Sequence, residues 1–167
     1  MDMKQPFEKL VLLYGATVLR VCRAVVGPAE AEDVWQETFM AALRAYPELP
    51  ADANIEAWLV TIAHRKSLDT VRAVRRRAVP VSEVPERPSD RGLPEADGEV
   101  DPIWLRVARL PDKQRQVLAY RYLADLPFND IAAIVGGSPA AARRAASDGI
   151  KSLRATASAS AAEGESA

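Results

Sequence analysis

The sequence predicts an all-α protein, with two small helical domains joined by an extended acidic linker. Three observations carry that expectation. Apolar residues recur at three- and four-residue steps through most of the chain, the period of an amphipathic helix. No segment shows the alternation of a half-buried strand. Between the helical stretches, Pro80, Pro85, Pro88 and Pro94 stand in a run with little apolar periodicity, as a connector does. The expected layout is a three-helix domain over 1–79, the linker over 80–101, a helix-turn-helix domain over 102–155 and a disordered tail over 156–167.

Phe7, Leu10, Val11, Tyr14, Val18, Val21, Cys22 and Val25 form the apolar stripe of a first helix, which Gly27-Pro28 ends. A second helix runs from about Ala29 to Tyr46. Its Trp35, Phe39, Ala42 and Tyr46 share a side and should pack inward, while Asp33, Gln36, Glu37 and Met40 lie nearly opposite. An acidic-polar face carrying an unbranched methionine suits a partner surface, although a charged face is also what plain solvation produces. The stretch PELPADAN, residues 47–54, is a loop, and Asn54 can cap a third helix from Ile55 to about Arg77. That helix points Ile55, Leu59, Ile62, Ala63, Leu68 and Val71 toward the core. It closes on Arg72, Arg75, Arg76 and Arg77. Cations suit a helix C-terminus, but this cluster exceeds what a cap needs, and phosphate contact is the sharper reading.

After the linker, Ile103, Trp104, Val107 and Leu110 begin a helix that stops at Pro111, and Asp112 is expected to cap the next. Val117, Leu118, Tyr120 and Leu123 then lead to a short apolar helix with Ile131, Ile134 and Val135. Gly136-Gly137 breaks the chain sharply. Ser138-Pro139 starts a further helix, an oxygen to cap free amides followed by a residue of suitable fixed φ. At about 100° per residue, Ala142, Ala145, Ala146, Gly149, Ile150 and Leu153 fall on one side of it. Ala140, Arg143, Arg144, Ser147, Lys151 and Arg154 fall on the other. Helix, glycine turn and capped second helix with outward arginines make a helix-turn-helix, whose second helix enters a DNA major groove. The bland reading is a helical hairpin with a solvated basic face. The small, polar composition after Arg154 predicts a fraying end.

Charge narrows the function classes. The 167 residues sum to −1, which argues against coating nucleic acid by bulk attraction. Residues 54–79 hold six bases and two acids, whereas residues 78–101 hold seven acids and two bases, so basic helices flank an acidic connector. Cys22 is the single cysteine; no internal disulfide can form, and a reducing compartment fits. The uncharged runs, of which residues 10–19 and 131–142 are the longest, are too short to span a bilayer, and the N-terminus lacks signal-peptide order. A cytoplasmic protein with no membrane contact is expected. His64 is the sole histidine, without a nucleophile or carboxylate at useful spacing, and no phosphate loop or paired-cysteine motif occurs. Catalysis, metals and cofactors are therefore not expected, and His64 is expected to face DNA or solvent.

Three ordered motifs now resemble one family. AEDVWQETFMAAL (31–43), AWLVTIAHRKSLDTVR (57–72) and LPDKQRQVLAYRYLADLPFNDIAAIVG (110–136) are similar to bacterial RNA polymerase sigma factors, in particular the short two-domain extracytoplasmic-function group. The resemblance implies a region two over 1–79 whose second helix, through Asp33, Gln36, Glu37 and Met40, docks on the clamp helices of core polymerase. It implies that Leu49, Asp52, His64, Arg65, Lys66, Arg72, Arg75 and Arg76 bind the −10 element, opening it and holding flipped non-template bases. It implies a region four over 102–155 that meets the polymerase flap and reads the −35 element with Ser138, Ala140, Arg143, Arg144, Ser147 and Lys151. The linker would thread a basic channel, and an anti-sigma factor is a further partner of such proteins.

The motifs also depart from the family. Arg65 stands where Asn is usual; Leu49, Pro50 and Ala51 stand where an aromatic, a basic residue and a glycine are common. Ala141, Ala142, Arg143, Arg144 and Ala145 replace a frequent Thr-Val-Lys-Ser-Arg, and Asp148-Gly149 an Arg-Ala pair. The promoter sequence therefore does not carry over. The rival function is a stand-alone helix-turn-helix regulator that binds its operator without core polymerase.

Overall fold

The computed structural model describes residues 4–77 and 102–164, which are helical with no strand among the described residues. The chain divides into two compact units, Met1–Gly98 and Glu99–Ala167. The acidic linker expected over 80–101 lies outside the described residues, as do the last three residues of the expected tail.

The N-terminal unit contains α1 (Phe7–Val26), α2 (Pro28–Ala45), a 3-10 turn (Tyr46–Glu48) and α3 (Ile55–Arg76). Gly27 alone separates the first two helices. Its φ of 85° is open to glycine at little cost, and its N–H closes α1 on the Arg23 carbonyl at 3.0 Å. Pro28 then occupies the first turn of α2, where no amide partner is needed. Each helix lays one stripe inward: Val18, Leu19 and Cys22 from α1, Val34, Trp35 and Phe39 from α2, Leu59 and Ala63 from α3. Burying each large side chain contributes about 1.5–3 kcal/mol. Trp35 and Phe39 meet at 4.7 Å between ring centroids, and the buried Trp35 indole N–H donates to the Gly15 carbonyl at 2.9 Å. Tyr46, grouped by the sequence with this inward side, is half-buried in the 3-10 turn beyond the helix. Burial pushes the Cys22 thiol up to about 12. It is structural filling.

The C-terminal unit contains α4 (Pro102–Val107), α5 (Asp112–Tyr122), α6 (Phe128–Val135) and α7 (Pro139–Gly164). Helix α7 packs on α5 and α6 and touches α4. Asp112 does not cap α5: Pro111 takes the cap position, and Asp112, one residue inside the helix, instead accepts from Arg115 at 2.8 Å. Asp125 adopts φ 52° in the turn that follows, a conformation aspartate tolerates, and the Leu126 N–H closes that turn on the Tyr120 carbonyl at 3.1 Å. The tail expected to be disordered from 156 is helical to Gly164. Alanine-rich sequence has the highest helix propensity, so α7 simply continues, exposed on every side beyond Leu153.

Helix α7 comes close to α5 at Gly149. A Cβ there would meet the buried Leu118 Cδ1 at 2.8 Å and the Gln114 Cβ at 3.5 Å. Gly149→Val is expected to cost about 2–3 kcal/mol through overpacking, read as a lower denaturation midpoint of the C-terminal unit in the full chain. An unchanged midpoint would mean α7 can move away from α5 freely.

Candidate nucleic-acid interface

The helix-turn-helix is built from the turn outward. Gly136 and Gly137 have φ of 89° and 87°, reversing the chain in two residues. Ser138 Oγ accepts from the Ala141 N–H at 3.1 Å, so the second helix starts where the cap sets it. Ala142, Ala146 and Gly149 are buried beneath α7, and Ala145, Ile150 and Leu153 are half-buried. Ala140, Arg143, Arg144, Ser147, Lys151 and Arg154 are all exposed, together with Ser138 at the cap. The short side chains below let α7 sit close to its neighbours, and the long cations above stand clear as a ridge.

One contact within this ridge has no periodic signal. Phe128, the first residue of α6, lies with its ring centroid 5.6 Å from the Arg143 guanidinium and 5.0 Å from that of Arg121. Arg121 is itself tied to the Leu126 carbonyl at 3.1 Å. Arg143 is thus held against an aromatic face. No sequence period connects Phe128 with an arginine fifteen residues on; only the fold brings the two together.

In the N-terminal unit, α2 presents Asp33, Gln36, Glu37 and Met40 outward, Met40 with 55% of its surface exposed and Leu43 likewise at 55%. At the end of α3, Asp69, Arg72, Arg75 and Arg76 border an open cleft of about 510 Å³. Arg65, Arg72, Arg75 and Arg76 are exposed and Lys66 is half-buried. The loop before α3 carries an exposed Asp52 and a half-buried Leu49. Leu49, Pro50 and Ala51 line a second cleft, of about 360 Å³, together with Tyr14 and Ile55. Asn54 Oδ1 accepts from the Ala57 N–H at 3.1 Å and so sets where the loop ends and α3 begins.

Comparison with known proteins decides what these surfaces belong to. Residues 10–77 match the Sigma-70 region 2 model, and residues 107–155 match the Sigma-70 region 4 model. The ECF RNA polymerase sigma factor ShbA of Streptomyces griseus is 35% identical over 154 residues, covering 83% of this chain and 81% of its own. The chain belongs to the ECF RNA polymerase sigma factors. SigD of Mycobacterium tuberculosis is 35% identical over 148 residues, covering 82% of this chain and 70% of its own. The fold of this sigma factor is shared with RpoE of Bartonella quintana, solved with the anti-sigma factor NepR, at a TM-score of 0.70 and 21% identity, over 89% of this chain and 94% of that one. It is shared also with CnrH, solved with the cytosolic domain of CnrY, at a TM-score of 0.65 and 21% identity, over 92% of this chain and 88% of that one.

Within region two of the sigma factor, one expected DNA-facing residue is misplaced. His64 is 7% exposed and shares the buried side of α3 with Val60 and Ser67, one turn either way. It belongs to the inward stripe that Leu59 and Ala63 begin; its neighbours Arg65 and Lys66 turn outward. Burial pushes its pKa below the usual histidine value, and the positive charge of Arg65 pushes the same way. The folded state therefore holds His64 neutral while the unfolded chain takes up a proton below about pH 6.5. Stability from this group is fully present above that pH and is lost as pH falls toward the lowered folded value. Denaturant titrations from pH 7.5 down to about 5 should show a decline in the wild type that His64→Gln flattens. Parallel pH profiles would show that His64 does not titrate with unfolding.

Proposed function

We propose that this sigma factor docks on core RNA polymerase through Asp33, Gln36, Glu37 and Met40 and then grips promoter DNA at two places. The exposed cationic ridge of α7, set opposite a buried alanine-glycine stripe, is the observation that carries the reading. Ser138, Ala140, Arg143, Arg144, Ser147 and Lys151 enter the major groove at the −35 element. Arg143, braced on Phe128, is ordered before binding and is the candidate base reader. Arg144 and Lys151 contact phosphate. Arg65, Lys66, Arg72, Arg75 and Arg76 hold backbone at the −10 element, while Leu49 and Asp52 meet extruded non-template bases beside the loop. Separating the strands costs about 1–2 kcal/mol per base-pair step, so each captured base has to offset that loss.

The protein performs no chemistry of its own in this reading and acts in the cytoplasm, where core polymerase is. Among the described residues no helix is long and apolar enough to cross a membrane. A solved structure of the same fold holds an anti-sigma factor, which supports an anti-sigma factor as a regulator here. The net charge of −1 is consistent with affinity supplied largely by polymerase rather than by bulk attraction to DNA.

Run-off transcription with core enzyme on a randomised promoter library tests the whole. The expected outcome is initiation at an enriched pair of elements; tight binding by protein alone, with no core-dependent initiation, would favour the stand-alone regulator. Asp33→Ala combined with Glu37→Ala should abolish core binding and leave helicity intact, measured by fluorescence titration and circular dichroism. Arg143→Ala should cost about 1–3 kcal/mol on the selected promoter and relax preference at one base pair. Arg144→Ala should weaken binding to all sequences equally and make the salt dependence shallower.

A further inference from the structure

The loop between α2 and α3 is held from a distance by the residues that precede α1. Lys4 Nζ donates to the backbone carbonyls of Tyr46, Pro47 and Leu49, at 2.5, 3.1 and 2.6 Å. The same ammonium lies 4.8 Å from the centroid of the Tyr46 ring. The clasp is reciprocal, because the Tyr46 hydroxyl donates back to the Gln5 carbonyl. Tyr46 is in turn wedged between Phe7 and Trp58, at 5.5 and 6.4 Å between ring centroids, so the clasp is anchored to both α1 and α3.

These carbonyls converge for a physical reason. They lie where α2 ends in its 3-10 turn, where helix carbonyls point outward with partial negative charge and the Tyr46 carbonyl, already accepting from the Leu49 N–H, has a second lone pair to offer. An ammonium with three donors satisfies such a cluster from a single point. Ordinary capping by a cation within the last turn would fix the helix end alone. Here the cation comes from more than forty residues away, and one acceptor, Leu49, lies beyond the turn in the loop itself.

We infer that Lys4 is a positioning residue for DNA melting: its ammonium gathers the Tyr46, Pro47 and Leu49 carbonyls and so fixes the loop that presents Leu49 and Asp52 to the non-template strand. The inference rests on the proposed role of that loop in −10 capture. Lys4 touches no base in this arrangement. It acts by keeping the Leu49 backbone in one place, so that capture does not have to order the loop first. The Leu49 N–H to Tyr46 carbonyl bond, 3.1 Å, and the Ala53 N–H to Pro50 carbonyl bond, 3.1 Å, are the internal ties that the clasp supports.

The test uses the full-length protein with core polymerase and the promoter selected by run-off transcription. Amide exchange, core affinity, binding to a duplex carrying only the −35 element, and strand opening read by a fluorescent adenine analogue in the −10 element are measured together. Lys4→Ala is expected to speed exchange at Leu49 and Ala53 by about three- to tenfold. It should slow opening by a similar factor while leaving core affinity and −35 binding unchanged, and Lys4→Arg should restore most of both. Leu49→Asp and Asp52→Ala serve as loop controls. If those controls slow opening and Lys4→Ala does not, the loop works without the clasp and the inference is overturned while the loop reading stands. If the controls leave opening unchanged, the loop reading fails and takes the inference with it. If Lys4→Ala lowers core affinity and opening in step with the thermal midpoint, Lys4 is only a stabilising cap, and the positioning role is again overturned.

Discussion

The close approach of α7 to α5 at Gly149 is the constraint on which the DNA-reading surface depends. Helices come this near only where side chains at the contact are almost absent, and the buried stripe of α7 is alanine, alanine and glycine. A larger residue there would lift the helix off its base and tilt the opposite face with it. The ridge is therefore defined from below. Ala141 and Ala142 precede Arg143, so nothing bulky on the same helix crowds the guanidinium that rests on Phe128.

Helix α2 serves three purposes with three different parts of its surface. Its inner side carries the Trp35–Phe39 pair around which the N-terminal core is packed. Its outer side carries the acidic face, and its C-terminal end supplies carbonyls to the Lys4 clasp. Eighteen residues make a rod of about 27 Å, stiff on that scale. In the proposed reading, a polymerase holding the outer side would thereby also fix where the following loop sits.

Much of this was legible in the residues because helical periodicity is a local property. The three inward stripes of region two, the Asn54 and Ser138 caps and the division of α7 into buried and cationic sides all follow from spacing within one helix. What escaped sequence reading involved either a second element or a competition between local preferences. His64 lies next to outward Arg65 and Lys66 in sequence, yet one step around the helix carries it into the core. Phe128 and Lys4 act on residues far along the chain, where no period connects them. Asp112 looked like a cap because aspartate often is one, but the geometry of Pro111 places the boundary one residue earlier. The helical continuation of α7 past 155 reflects alanine propensity prevailing over a composition that suggested fraying.

The burial of Cys22 has a practical consequence for studying assembly. A thiol so rarely ionised inside a packed core reacts slowly with maleimides and oxidants, and the chain has no second one. Cysteines placed on the surface then become the reactive handles while Cys22 stays in place. Dyes attached in pairs, one to each unit, can then report distances as the protein passes from solution to polymerase to open promoter.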